Sequence, residues 1–295
     1  MKTAYLFPGQ GSQFVEMGKS IYETNPEAMK YFDQANNILG IDLKSIMFEG
    51  PVEKLKQTEF TQPAIFLHSV ALFKTLNVTP DMVAGHSLGE FSALVGCGAV
   101  SFEDALKIVR KRGQLMQEAG NSNPGTMAAV IGMDDEDVED VCKRASEETR
   151  QEVIPANYNS PGQIVISGNI DAVEKAVEIA KEEGVRLAKT LPVSGAFHSS
   201  LMKPAYDGLK TQLEELEIKE PKCPIYSNYT AEATTDVEEI RSKLLNQLLN
   251  PVRWTQTLIN MEKDGADSFV EVGPGKVLQG LVKRTLKDVK ISGYQ

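Results

Sequence analysis

Three side-chain types in this chain could together run acyl chemistry: a serine on a glycine turn, a histidine able to take its proton, and an arginine on an apolar helix face. Ser87 lies in Val83-Ala84-Gly85-His86-Ser87-Leu88-Gly89-Glu90, a Gly-x-Ser-x-Gly pattern. Glycines two positions either side let a strand turn sharply into a helix and lift the hydroxyl clear of the backbone. The following helix would aim its N-terminal amides at an oxyanion formed there. The bland alternative is a helix N-cap serine.

A neutral hydroxyl is a poor nucleophile and needs a base. Only 3 histidines are present. His68 falls on an apolar stretch and reads as a core imidazole, while His86 adjoins Ser87 and should shape the turn. His198, in Val193-Ser194-Gly195-Ala196-Phe197-His198-Ser199-Ser200, sits in a small-residue loop before a helix. Its late position fits the serine-first, histidine-last order of hydrolase-like sheets, which makes it the candidate base. Arg112 shares a helical stripe with Ala105, Ile108, Val109 and Met116. A guanidinium facing inward needs an anion, either a substrate carboxylate or an internal Asp or Glu, unless its stem reaches water. The spacing leaves both readings open. Gln10, in Pro8-Gly9-Gln10-Gly11-Ser12, could offer a backbone amide as a second oxyanion donor beside that of Leu88. That loop lacks the Lys-Ser/Thr ending of a phosphate-binding P-loop.

The elements needed to position these groups are legible as a β-strand and α-helix alternation. Thr3 to Phe7 and Asp81 to Ala84 read as buried strands, and 25–39, 60–76, 88–95 and 101–118 as helices. Ser101 with Asp104 three residues on resembles a capping box. Across 124–191 the order becomes β-α-β-β-α-β, the pattern of a small ferredoxin-like subdomain. Helices near 200–216, 237–249, 255–263 and 276–287, with a strand at 268–272, then return to the first unit. The expected architecture is an α/β hydrolase-like parallel-sheet core from 1–123 and 192–295, with the ferredoxin-like insert at 124–191.

Composition narrows the function classes. The 295 residues are 41% hydrophobic and 24% charged, ordinary for a globular protein, and the net charge of -10 argues against a general binder of nucleic acid or anionic membrane. The 3 cysteines, Cys97, Cys142 and Cys223, are scattered without metal-type spacing, which suggests reduced thiols in the cytoplasm and no metal site. No signal-peptide core or membrane-spanning run is evident.

Taken in order, these segments resemble the malonyl-CoA:acyl carrier protein transacylases of fatty acid and polyketide synthesis. The resemblance spans nearly the whole chain. It rests on Phe7-Pro8-Gly9-Gln10-Gly11-Ser12-Gln13, Thr61-Gln62-Pro63-Ala64, Gly85-His86-Ser87-Leu88-Gly89-Glu90 and Arg112-Gly113 with Met116-Gln117. Further along it takes in Asn157-Tyr158-Asn159-Ser160-Pro161-Gly162-Gln163, Phe197-His198-Ser199 with Met202-Lys203-Pro204, Asn250-Pro251-Val252-Arg253-Trp254 and Glu271-Val272-Gly273-Pro274-Gly275. The resemblance implies Ser87 as acyl carrier, His198 as base, a main-chain carbonyl at Gln247 orienting the imidazole, and Gln10 and Leu88 amides as the oxyanion hole. It also implies Arg112 on the malonyl carboxylate, with Met116 and Phe197 beside the substrate. Several family members carry serine where this chain has Phe197, so branched extender units such as methylmalonyl should be disfavoured. Malonyl-CoA and a holo acyl carrier protein are the implied partners, no cofactor is expected, and a monomer is the default. Lys276, Lys283, Arg284 and Lys287 are candidates for carrier docking or simply a solvated helix face. A serine acyl hydrolase or proofreading esterase would share Ser87 and His198 but have no use for Arg112. A non-catalytic acyl-binding protein would form no adduct.

Overall fold

The computed structural model describes residues 2–295. Ten strands run in chain order: β1 Lys2–Phe7, β2 Met82–Gly85, β3 Gly125–Ile131, β4 Val153–Ser160, β5 Gln163–Asn169, β6 Leu187–Thr190, β7 Ile225–Tyr226, β8 Ala233–Thr234, β9 Ala266–Val272 and β10 Lys290–Tyr294. Six form one sheet in the order β10-β9-β1-β2-β7-β8, and four form another in the order β4-β5-β3-β6. In the first, every pairing is parallel except the β7–β8 edge. In the second, every pairing is antiparallel.

The strand sequences explain the difference. β2 is buried at every position and β1 at its last four, the near-continuous apolar pattern of strands covered on both faces. Helix Thr58–Thr75 is buried over almost its whole circumference and lies inside the larger unit. Helices Asp135–Thr149 and Ile170–Glu182 instead each bury one stripe, and with one face of the antiparallel sheet they enclose a separate apolar core. The two sheets meet at β4. Tyr158 N–H donates to Val252 O at 2.9 Å, and Val252 N–H to Ala156 O at 2.8 Å.

Three expectations need correction. The stretch 237–249 is helix Val237–Asn246 followed by a tighter 3-10 turn, Gln247–Leu249. The stretch from Ser200 likewise opens as a 3-10 turn, Ser200–Met202, before helix Lys203–Glu215. The last helix is Val277–Thr285, so Lys276 is its N-cap and Lys287 lies beyond its end. β7 and β8 are two-residue strands without a periodic signal, and β10 is a largely exposed edge strand without apolar alternation. Among the described residues no helix is long and apolar enough to cross a membrane.

Candidate active site

Ser87 sits between β2 and helix Gly89–Gly96 with φ of 52°, a left-handed conformation that strains a residue bearing Cβ. Its surroundings over-determine that geometry. A Cβ on Gly85 would lie 1.8 Å from the Gly89 carbonyl carbon, and one on Gly89 would lie 2.1 Å from Phe7 O, so only glycines allow strand and helix this close. Asn228 clamps the turn from the side. Its Oδ1 accepts from Ser87 N–H at 2.6 Å, and its Nδ2 donates to Gly85 O at 2.7 Å. His86 turns away from the serine, bonding Asn159 on β4 at 2.8 Å and packing against Trp254, as a turn-shaping residue should. His68 is a buried core imidazole in helix Thr58–Thr75, pushed down to about 4 by burial.

Ser87 Oγ is 2.9 Å from His198 Nε2, and His198 Nδ1 is 2.8 Å from the main-chain carbonyl of Gln247. A carbonyl can only accept, so Nδ1 carries the hydrogen and Nε2 is left with its lone pair facing the serine hydroxyl. Burial, with the charge of Arg112 and the nearby His86 adding to it, pushes His198 down to about 3. The imidazole is therefore neutral at pH 7 and ready to accept a proton. The 3-10 turn at Gln247–Leu249 gives this carbonyl its position, and no sequence pattern announced that break.

Arg112 is 1% exposed, on helix Phe102–Ser122. Nη1 donates to Gln62 Oε1 at 2.7 Å, while Nη2 donates to Gln247 Oε1 at 2.9 Å and to Ser87 Oγ at 3.2 Å. All three partners are neutral. Among the described residues no carboxylate lies within ion-pair distance of the guanidinium. Burial lowers Arg112 to about 10, which still leaves it cationic at pH 7. The nearest acid by electrostatic influence, Glu90, is reached only through Gln247, whose Nε2 donates to Glu90 Oε2. Burial pushes Glu90 up to about 7.

A cleft of about 230 Å³ opens above these groups, between the two sheets. Ser87, His198, Gln10, Leu88, Met116 and Phe197 all line it, whereas Arg112 and Gln247 lie behind its floor. Among the described residues the backbone amides of Gln10 and Leu88 donate to no acceptor of the chain, so both are free to meet a ligand oxygen. β4 and β5 supply the facing wall with Asn157, Asn159 and Val165, and Val277 and Leu281 of the last helix form its rim. Lys283 and Arg284 are exposed beside that rim, and Arg284 reaches Gln163 of the antiparallel sheet at 3.1 Å.

The structure thus brings every candidate site residue to one place. It adds four that the sequence reading did not single out: Gln62, Glu90, Asn159 and Asn228. The first three lay inside recognised segments, where an amide or carboxyl amid buried residues was the available signal. Asn228 had none, because its role depends on a two-residue strand.

The model of the acyl transferase domain matches residues 4–294, and the chain belongs to that family. Its full-length relatives are of a single kind. The malonyl CoA-acyl carrier protein transacylase of Bacillus subtilis (strain 168) is 48% identical over 297 residues, covering 99% of this chain and 93% of its own. The protein of the same name from Staphylococcus aureus (strain MRSA252) is 44% identical, covering 100% and 96%. The solved transacylase from Coxiella burnetii superposes with a TM-score of 0.96 at 41% identity over 99% of this chain and 93% of that one. A malonyl-transacylase solved in complex with a type II polyketide acyl-carrier protein gives 0.94 at 40% identity, over 99% and 95%.

Proposed function

We propose that this protein transfers a malonyl group from malonyl-CoA to the phosphopantetheine thiol of an acyl carrier protein, through an ester on Ser87. His198 Nε2 takes the Ser87 proton as the oxygen attacks the thioester carbonyl. The Gln10 and Leu88 amides receive the resulting oxyanion, and one such donor contributes about 3 kcal/mol. Collapse expels the coenzyme A sulfur, which takes the proton from His198 and leaves a malonyl-serine ester. The carrier thiol then attacks that ester as His198 removes its proton, and Ser87 leaves with the proton returned. A ping-pong pattern follows.

Arg112 holds the free carboxylate, fixing the carbonyl over Ser87 and making water a poorer competitor. One observation carries this reading: a fully buried guanidinium with only neutral partners stands one hydrogen bond from the serine oxygen that His198 also meets. Residues 1–123 and 192–295 would do the chemistry, and 124–191 would form the facing wall. Lys283 and Arg284, with Lys276 and Lys287 flanking the helix, would meet an acidic carrier. Three buried free thiols favour a reducing cytoplasm, and a monomer suffices, since the site is complete in one chain.

Incubation with malonyl-CoA, digestion and mass spectrometry should find a malonyl group on the Ser87 peptide, and adding holo carrier protein should remove it. Arg112→Ala should lower malonyl loading about a hundredfold or more while lowering acetyl loading far less. An unlabelled Ser87, or equal losses for both acyl groups, would overturn the assignment.

A further inference from the structure

Beneath Ser87, on the side away from the cleft, a second polar chain is wholly buried. Glu90, 2% exposed on helix Gly89–Gly96, accepts from Gln247 Nε2, and Gln247 Oε1 accepts from Arg112 Nη2 at 2.9 Å. One amide therefore links a carboxyl to a guanidinium without a direct ion pair. The charged groups facing Glu90 are Arg112 and Lys243 of helix Val237–Asn246, and Lys243 is engaged by Glu239 at 2.8 Å. His198, bonded to the main chain of the same Gln247, is neutral, and the Asn228 backbone also meets the carboxyl.

Resting on the role proposed for Arg112, the charge count has a consequence. In the empty site one cation faces one carboxyl. A substrate carboxylate on Arg112 would put two anions and one cation in a space closed to water. Two like charges that close cannot both stay ionised cheaply. The substrate acid, lying beside a thioester carbonyl, is the stronger acid and takes the free guanidinium hydrogens, so the proton must go to the other carboxyl.

We propose that Glu90 is a proton-linked positioning residue: it takes one proton from solvent when a substrate carboxylate docks on Arg112 and returns it when the acyl group leaves. Protonation forms a neutral carboxylic acid whose carbonyl oxygen still accepts from Gln247, so the amide stays fixed and only the charge behind Arg112 changes. Burial already holds Glu90 near neutrality, so a modest push suffices.

The test uses Ser87→Ala protein, which cannot be acylated, and titration calorimetry at pH 8 in phosphate and in Tris. Malonyl-CoA should take up about one proton more than acetyl-CoA, a comparison in which the titrating phosphates of coenzyme A cancel. Adding Glu90→Gln keeps an acceptor for Gln247 but removes the charge. It should abolish the extra proton and tighten malonyl-CoA binding about tenfold at pH 8, with little change at pH 6. Should Glu90→Gln fail to fold, malonyl-CoA affinity of the Ser87→Ala protein between pH 6 and 9 still decides, weakening towards tenfold per pH unit above 7. No extra proton for malonyl-CoA, or the same proton in the Glu90→Gln protein, would overturn the proposal. If Arg112→Ala leaves the preference for malonyl-CoA over acetyl-CoA intact, the carboxylate binds elsewhere and the Arg112 reading itself fails. If it removes that preference while no extra proton is seen, only the Glu90 proposal is lost.

Discussion

The two walls of the cleft differ in how tightly their polar groups are held. On the parallel-sheet side, Ser87 and His198 both adopt positive φ, at 52° and 60°, and each is fixed by main-chain or amide partners. Every polar side chain there is tied to another, from Glu90 through Gln247 to Arg112 and Gln62. On the antiparallel-sheet side the lining is Met127, Val165 and a few amides, with Asn159 held by His86. Groups that move protons or hold charge tolerate little displacement, whereas a wall that only shapes an acyl chain can be soft. Substitutions on the first wall should therefore act on chemistry, and those on the second on binding.

The largest effect should come from His198→Ala. Losing the general base should lower the rate of ester formation by about 100- to 10,000-fold with little change in KM, measured by rapid quench with malonyl-CoA. Asn228→Ala should come next. It leaves Ser87 N–H and Gly85 O without their partner, so about 1–3 kcal/mol of stability should be lost, with kcat falling more than KM rises. Unchanged kcat would mean that the glycine packing alone holds the turn.

Stability against pH probes the same wall. The unfolded imidazole of His198 binds a proton below its ordinary 6.5, while the folded one resists down to about 3. Its contribution is thus complete above pH 6.5 and lost as pH falls from there towards 3. Glu90 acts in the opposite sense. Its folded value near 7 exceeds the ordinary 4.5, so its contribution is complete below 4.5 and lost as pH rises through 7. Glu90→Gln should flatten the alkaline limb of a melting-temperature profile and leave the acid limb alone. On the softer wall the smallest effect is expected. Phe197→Ala should admit methylmalonyl-CoA with a several-fold gain relative to malonyl-CoA and little change in kcat for the latter. A collapse of malonyl transfer would show that Phe197 belongs with the rigid wall.

The same contrast describes what could be read from the sequence. Buried strands, the all-apolar helix at Thr58–Thr75 and the glycine elbow carry patterns that local physics imposes, and they are found close to where periodicity puts them. The β-α-β-β-α-β order was legible because each of its elements is long and one-faced. The ends of helices were not. Whether 237–249 continues or tightens at Gln247 is decided by the imidazole that needs its carbonyl, a contact across 49 positions of chain. Arg112 was ambiguous for the same reason, since helical spacing says that a guanidinium points inward but not what it meets. Its neutral partners, Gln62 and Gln247, lie 50 and 135 positions away.

The three interior thiols are distributed unevenly: Cys142 belongs to the core under the antiparallel sheet, and Cys97 and Cys223 to the core of the larger unit. An alkylating reagent can reach them only when their surroundings open. Modification followed peptide by peptide would therefore time the opening of each half separately, and a Cys142 peptide that reacts well ahead of the other two would mark the insert as able to breathe while the elbow stays shut.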